Sequence, residues 1–182
     1  PTSWTNYIGV KDMCAVLNHT AGGYIFYKSP EYHRITKFRP NGVPMDRPGH
    51  YVYLRDDESG DYWSVSWQPV GKPLDQAKYT CRHGMSDYSD IFASQKMSVA
   101  MDDPVEIWDV RIKKNSDRTR KLSVFSYLEF SFHQIAMDNQ NFQMSMYASG
   151  SSYEDGIIEC DLFYEEFGYQ FFTANFRPDG FD

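Results

Sequence analysis

The sequence has 182 residues and more acidic than basic side chains, 25 against 18, which gives a formal net charge of −7. A chain of this length can form one domain with a sizeable core, and its negative charge disfavours attraction to nucleic acids and to anionic membranes. We therefore expect neither as a partner, and the sequence contains no apolar run of membrane-spanning length.

The cysteines and histidines show no metal-binding or disulfide pattern. Cys14, Cys81 and Cys160 are far apart, without a CxxC pair, and the five histidines are not spaced as metal ligands. We therefore expect no metal site and no disulfide framework, and a reducing cytoplasm as the location. The sequence starts at Pro1 without a Met, and we expect it to be a piece of a larger protein.

Aromatic residues make up 17% of the chain and recur with β-branched residues in short runs between turn signals. This pattern predicts an all-β protein: one antiparallel two-sheet β-sandwich over residues 1–182, with very little helix. In chain order, the first clear elements follow Gly22 and Gly23: a strand, a turn that contains Pro30, and a second strand. The paired glycines are interpreted as a turn, because neither a Lys-Ser/Thr pair nor a helix follows them to bind phosphate.

Two hairpins are predicted in the middle of the chain. "HYVYLRDDESGDYWSVSW" predicts strands at 51–55 and 62–67, joined by a polar loop in which Ser59 and Gly60 take unusual dihedrals. Alternating residues from Trp108 onward predict a strand that turns at "KNSDRT" and pairs with a returning strand over 122–130, covered on both faces. Further strands are predicted at 142–147, 157–163 and 169–176.

The residues offer no convincing catalytic centre. "RHGMS" at 82–86 and His133 lack a nucleophile elbow, and the adjacent Glu165 and Glu166 would point to opposite faces of a strand. They therefore cannot flank one glycosidic bond as a carboxylate pair. We expect no catalytic residue in this chain.

One stretch has the composition of a sugar-binding loop. Between two strand-like ends, residues 133–143 contain five side-chain amides, a histidine and a carboxylate: His133, Gln134, Asp138, Asn139, Gln140, Asn141 and Gln143. Planar amides and carboxylates match the vicinal hydroxyls of sugars. The alternative is a polar surface loop in which Asp and Asn residues close turns.

Several ordered blocks resemble a known family: "PTSWTNYIG", residues 21–70, "CRHGMS" and "FSYLEFSFHQIAMDNQNFQMSMY". Together they are similar to the N-terminal region of the inverting disaccharide phosphorylases, which include cellobiose and N,N'-diacetylchitobiose phosphorylases. "SPEYHRITKFRPN" and "RPGHYVYLRDDESGDYW" look closer to the chitobiose type. The stretch from Cys81 to Ala100 departs from the pattern, because it looks several residues short: either a hairpin is trimmed or residues are missing.

The resemblance implies an N-terminal β-sandwich of the super-sandwich type, followed by a helical linker and a catalytic α/α barrel that this chain lacks. Such enzymes are homodimers that carry out reversible phosphorolysis of a β-linked disaccharide to an inverted sugar 1-phosphate. Inorganic phosphate is the co-substrate, and no metal or organic cofactor is implied. The general acid lies in the barrel, so we expect this chain alone to be inactive.

The resemblance also gives the amide-rich stretch a role. It implies that Gln134, Asn141 and Gln143, with His133, Asp138 and Asn139 beside them, border the acceptor-sugar subsite of the partner subunit.

The sequence is also compatible with two other functions. One is a domain of a cellobiose or cellodextrin phosphorylase. The other is a stand-alone carbohydrate-binding β-sandwich with Trp63 and Trp67 as sugar platforms, although strand alternation favours burying Trp63, Val65 and Trp67 on one face.

Overall fold

The computed structural model describes residues 4–38, 48–81, 85–88, 90–136, 149–162 and 168–181. Within them, helical conformation is limited to residues 135 and 136, and the regular elements are β-strands. The strands are β1 Thr5–Val10, β2 Met13–Asn18, β3 Gly23–Tyr27, β4 Arg34–Thr36, β5 Tyr51–Asp56, β6 Tyr62–Ser64, β7 Ala77–Thr80, β8 Met85–Tyr88, β9 Ile91–Val99, β10 Glu106–Lys114, β11 Leu122–Tyr127, β12 Phe130–His133, β13 Ser149–Glu154, β14 Ile157–Leu162 and β15 Gln170–Thr173.

Every pairing between the described strands is antiparallel, which confirms the predicted all-β class. Hydrogen bonding groups the described strands into four sheets rather than two, in the orders β1-β2-β3-β4-β12, β10-β9-β8-β7, β11-β5-β6 and β13-β14-β15. The number of sheets differs from the prediction because strand pattern identifies a buried face and leaves open where one hydrogen-bonded ladder stops and the next begins.

Two apolar clusters hold the sheets together. The first packs β2 and β3 against β5 and β9, and its members include Met13, Leu17, Ile25 and Met97. The second packs β5 and β6 against β9, and its buried members are Val52, Leu54, Trp63, Val65, Ile91 and Ala93. Trp108 of β10 packs against both clusters, so β9 and β10 form the common wall of the core.

The β5–β6 hairpin is confirmed, with a shorter return strand than predicted. Tyr53, Leu54 and Arg55 pair with residues 62–64, and β6 ends at Ser64. Gly60 has a φ of 74° while Ser59 does not share this conformation, so one of the two predicted turn residues adopts the left-handed region. The loop closes through Asp56, whose Oδ1 accepts a hydrogen bond of 2.9 Å from the Glu58 N–H.

The second predicted hairpin is wrong in its pairing. β10 pairs along its whole length with β9, whereas β11 pairs with β5 in a different sheet. The segment between β10 and β11 therefore crosses from one sheet to another. β11 is also not covered on both faces, because Val124 and Phe125 are each 48% exposed.

The crossing is fixed by an arginine between two carboxylates. Arg120 Nη2 lies 2.5 Å from Asp56 Oδ2 at the end of β5, and its Nη1 lies 2.6 Å from Asp90 Oδ1 just before β9. The side chain of Arg120 is largely buried. This double ion pair joins the sheets that contain β5 and β9 at one end.

The turn predicted at the paired glycines is present over residues 18–22, and Gly23 begins β3. The side chain of Asn18 closes it by accepting hydrogen bonds of 2.9 Å from the N–H groups of Thr20 and Gly22. Gly23 has a φ of 145°, and a Cβ there would lie 2.0 Å from the carbonyl oxygen of Val16. The close approach of two strands therefore requires glycine at this position.

The short segment after Cys81 contains a tight hairpin. β8 pairs with β9 up to the partners Tyr88 and Ile91, and β7 pairs with β8 on its other side. The later predicted strands are present but shorter, as β14 and β15, while the strand predicted at 142–147 lies outside the described residues, as do Glu165 and Glu166. In the described part of the chain, no helix has the length and apolar character needed to cross a membrane.

Candidate functional site

The structure describes the start of the amide-rich stretch and not its centre. His133 ends β12, and Gln134 follows it as a partly exposed residue. The other predicted site residues lie outside the described residues: Asp138, Asn139, Gln140, Asn141 and Gln143. β12 is the base from which this stretch extends.

This base is an edge strand. Among the described strands, β12 is the outermost of the five-stranded sheet and pairs with β4, with Phe130 opposite Thr36 and His133 opposite Arg34. The register shifts between these two pairs, which marks a bulge. Bulges on edge strands bend the strand and redirect the residues that follow it. β12 therefore has one residue more than β4 between these two pairs, just before Gln134.

Backbone contacts fix β12 at both ends. Before it, the Lys37 N–H donates to the carbonyl of Glu129 at 2.8 Å; after it, the Ile135 N–H donates to the carbonyl of Glu31 at 3.0 Å. The Gln170 side chain adds a third contact by donating to the carbonyl of the fully buried Ser131 at 2.9 Å. The residues at the start of the amide-rich stretch are thus held on a rigid support, as a binding site requires.

The turn between β3 and β4 lies beside this base and contributes two residues, Glu31 and Tyr32, that the sequence reasoning missed. Ser29 closes the turn, since its Oγ accepts from the N–H groups of Glu31 and Tyr32 at 3.3 and 3.2 Å. Tyr32 is 51% exposed, and a side-chain hydrogen bond to the Glu31 carboxylate raises the pKa of its hydroxyl. The "SPEY" turn is the signal for this pair, because Ser and Pro predict a tight turn that presents the next residues to solvent.

Arg34 anchors the same turn to the sheet. Its guanidinium lies 3.6 Å from the ring centroid of Tyr24, and its Nε donates to the carbonyl of Pro30 at 3.1 Å. Although charged, Arg34 is 95% buried, so it holds the turn from below and is not exposed as a ligand-binding group.

Directly behind β4 lies a buried polar cluster. His50 is fully buried, and its Nε2 lies 3.1 Å from Thr36 Oγ1 and 3.9 Å from Glu106 Oε2. Gln95 donates to the carbonyl of His50 at 3.1 Å, and Trp108 Nε1 donates to Glu106 at 3.0 Å. Burial lowers the pKa of His50, and the nearby Glu106 carboxylate opposes this effect. Thr36, His50 and Gln95 are buried, so the role of the cluster is to hold three sheets together rather than to bind substrate.

The structure separates the two candidate sugar platforms. Trp63 is 1% exposed and lies in the core, whereas Trp67 is 40% exposed. The expectation that both share a buried face fails at Trp67, because β6 ends at Ser64 and strand alternation no longer applies beyond it. Among the described residues, no group of three or more His, Cys, Asp or Glu side chains could hold a metal ion.

Comparisons with known proteins match the whole chain. The family described as "Glycosyl hydrolase 94, supersandwich domain" matches residues 1–181. The chain is 54% identical to the N,N'-diacetylchitobiose phosphorylase of Vibrio proteolyticus and 52% identical to that of Vibrio furnissii, in each case over 100% of the chain and 24% of the relative. It is 30% identical to the solabiose phosphorylase of Paenibacillus borealis, over 100% of the chain and 25% of that protein.

The chain therefore spans about a quarter of the length of these curated relatives. The alignments with the two Vibrio proteins run over 191 positions, nine more than the 182 residues of the chain. This difference agrees with the expectation that the chain is several residues shorter than its relatives.

Proposed function

Since the chain belongs to the glycosyl hydrolase 94 supersandwich domain family, we propose that it is the N-terminal domain, residues 1–182, of an N,N'-diacetylchitobiose phosphorylase. The observation that carries this proposal is the identity of 54% and 52% to two proteins of that name, against 30% to a phosphorylase named for another disaccharide.

The whole enzyme would cleave a β-linked disaccharide with inorganic phosphate. Phosphate attacks the anomeric carbon while a general acid protonates the departing sugar, and the product is a sugar 1-phosphate of inverted configuration. We place the acid and the phosphate-binding groups in the catalytic α/α barrel outside this chain, which alone should be inactive. No metal or organic cofactor enters the proposal.

This domain would shape the acceptor subsite. Gln134, Asn141 and Gln143 would donate and accept hydrogen bonds with hydroxyl and acetamido groups of the acceptor sugar, with His133, Asp138 and Asn139 supporting them. The bulged edge strand β12 and the contact from the Ile135 N–H to the Glu31 carbonyl support this role, because they give the stretch a fixed origin. Since Tyr32 is exposed next to that contact, it would be a further wall of the subsite.

Assembly is part of the proposal. We expect a homodimer in which this domain contacts the catalytic barrel, and the exposed apolar side chains of the edge strand β11 provide a surface for such contacts. The three cysteines are free, one of them exposed, which suits a reducing cytoplasm.

Steady-state kinetics of the full-length enzyme in the synthetic direction test the acceptor role. Asn141→Ala and Gln143→Ala should each weaken acceptor affinity several-fold, since losing one neutral hydrogen bond costs about 1 kcal/mol, while the KM for the sugar 1-phosphate stays unchanged. Ser152→Ala on the exposed part of β13 is a control that should change neither constant. Unchanged acceptor affinity and preference in both variants would remove the acceptor role, and full-length enzyme without chitobiose phosphorolysis would contradict the proposed activity.

A further inference from the structure

The sheet β13-β14-β15 turns one of its faces towards the body of the domain. In β15 the ring centroid of Phe172 lies 5.6 Å from that of Trp108 on β10, and the Gln170 side chain donates to the carbonyl of Ser131 at 2.9 Å. Successive side chains of a strand point to opposite faces of the sheet. Phe171, which lies between Gln170 and Phe172, therefore points away from the body of the domain, and it is 51% exposed.

Strand register places a second apolar side chain beside Phe171. Phe171 pairs with Glu159 in β14, and Ile157 lies two residues before Glu159 in the same strand. Residues that pair directly, and residues two apart in one strand, share a face of the sheet. Ile157 therefore also points away from the domain, diagonally next to Phe171, and it is 42% exposed.

Two carboxylates lie on the same face. Glu159 is opposite Phe171, and Glu154 of β13 is opposite Ile157. Within the part of the chain that the structure describes, neither carboxylate forms an ion pair. We call the surface formed by Glu154, Ile157, Glu159 and Phe171 the outward face. Because it combines apolar side chains with negative charge, its complement is a surface that combines apolar side chains with Lys or Arg.

The last described residues lie at the same sheet. The ring of Phe181 stacks on that of Tyr153 in β13, with ring centroids 4.0 Å apart, and Tyr153 is the neighbour of Glu154 in the chain. The chain spans about a quarter of the length of its Vibrio relatives, and under the proposed function the remainder follows residue 182. That segment starts beside the sheet, and its attachment there gives it a high effective concentration at the outward face.

A second copy of the chain is a poorer partner for the outward face. Symmetric dimers commonly use the same surface on both copies. Such a pairing would bring Glu154 and Glu159 close to the same carboxylates of the other copy, and the described strand residues on this face include no Lys or Arg to balance them. Like charges that face each other across an interface oppose association. The segment after residue 182 is not bound by this symmetry.

We propose that the outward face is the docking surface for the segment of the full-length chain that follows residue 182. That segment covers Phe171 and Ile157 with apolar side chains and presents Lys or Arg to the two carboxylates. The identity of the segment rests on the proposed function, whereas the face itself rests on register, exposure and charge. Since Gln170 of the same sheet contacts the carbonyl of Ser131 in β12, docking there also holds the sheet that supports the base of the amide-rich stretch.

Hydroxyl-radical footprinting of the 182-residue chain and of the full-length enzyme tests the docking directly. The radical modifies exposed side chains, and the centre of an interface excludes water, so Phe171 should be modified at least about threefold more slowly in the full-length enzyme. Tyr62 is the control, because it is 56% exposed on β6 of another sheet, and its modification rate should be the same in both proteins.

Glu159→Lys tests the charge of the docked segment. In the 182-residue chain it reduces a net charge of −7, so the melting temperature should not fall. In the full-length enzyme the new lysine would face Lys or Arg, and the melting temperature should fall by about 2–4 °C. Glu159→Gln, which removes the charge without reversing it, should give an intermediate loss in the full-length enzyme.

The outcomes separate this inference from the proposed function. Equal modification of Phe171 in the two proteins would overturn the docking, as would a Glu159→Lys variant that loses the same melting temperature in both. Protection of Phe171 in the 182-residue chain that increases with its concentration would show that a second copy covers the face, and the proposal would be wrong. Protection of Phe171 in a full-length enzyme without chitobiose phosphorolysis would support the docking and count against the proposed activity.

Discussion

Replacing Thr36 by valine tests the buried contact between β3, β4 and the core. Thr36 is 2% exposed, and its hydroxyl oxygen accepts a 2.9 Å hydrogen bond from the Ile25 N–H and lies 3.1 Å from His50 Nε2. A threonine hydroxyl in this position takes the place of a backbone acceptor between two strands. Valine has nearly the same shape, so Thr36→Val removes the polar contacts with little change in packing.

The expected loss follows from these two contacts. Without the hydroxyl, the N–H of Ile25, a 93% buried residue, loses its acceptor and the ring of His50 loses one partner. A buried polar group without a partner costs about 1–3 kcal/mol, and we expect a fall in the free energy of unfolding of about 2 kcal/mol. Since the free energy of unfolding falls by about 2 kcal/mol per molar of urea, the midpoint of unfolding should shift down by about 1 M urea.

Urea unfolding followed by tryptophan fluorescence measures this change, because Trp63 and Trp108 lie at or next to the core. Thr36→Ser is the matched control: it keeps the hydroxyl and loses one methyl group, so about 0.8 kcal/mol is expected. If Thr36→Val leaves the midpoint within about 0.2 M of the unchanged chain, or if Thr36→Ser lowers it equally, the hydroxyl does not stabilise the fold as argued.

Three further predictions concern stability. Burial lowers the folded-state pKa of His50 despite the nearby Glu106, so the unfolded chain binds a proton at higher pH than the folded chain does. The free energy of unfolding should therefore be unaffected above pH 6.5 and fall below it by at most about 1.4 kcal/mol per pH unit. His50→Asn should flatten this slope when urea unfolding is measured across the pH range. Gly23→Ala should prevent folding or lower the melting temperature sharply, because the new Cβ would meet backbone atoms. Gly60→Ala is the control: it has open space around it and should cost only about 1 kcal/mol. Equal melting temperatures for the two variants would contradict the close-approach argument. Arg120→Met should lower the melting temperature more at pH 7 than at an acid pH below the lowered pKa of Asp56, where this carboxylate partner is protonated; an equal loss at both would show that the ion pair with Asp56 contributes nothing.

Local signals in the sequence predicted local structure correctly. The β5–β6 hairpin was predictable because two alternating strands flank a loop that contains Gly60, and turn chemistry fixes such a pairing. The pairing of β10 with β9, and of β11 with β5, was not predictable in the same way. Alternation shows which side chains share a face of a strand but does not identify the neighbouring strand. In addition, the seven residues between β10 and β11 have the composition of a turn, although they connect two different sheets.

The same distinction applies to the candidate site. The amide-rich stretch is visible in the sequence because its residues are contiguous, and the resemblance supplied the interpretation. The buried cluster behind it was not visible, since Thr36, His50, Gln95 and Glu106 come from four distant parts of the chain. A single histidine in a sequence gives no indication that folding will bury it beside a glutamate.

β4 connects the buried polar cluster to the amide-rich stretch, on which the proposed function depends. On its inner side Thr36 contacts His50, while along its edge Thr36 and Arg34 are the register partners of Phe130 and His133 in β12. An edge strand of four residues with a bulge has few hydrogen bonds of its own, so its position depends on the strand beside it. The buried polar contacts of β4 therefore do more than stabilise the core: they hold the strand with which β12 pairs up to His133, immediately before Gln134.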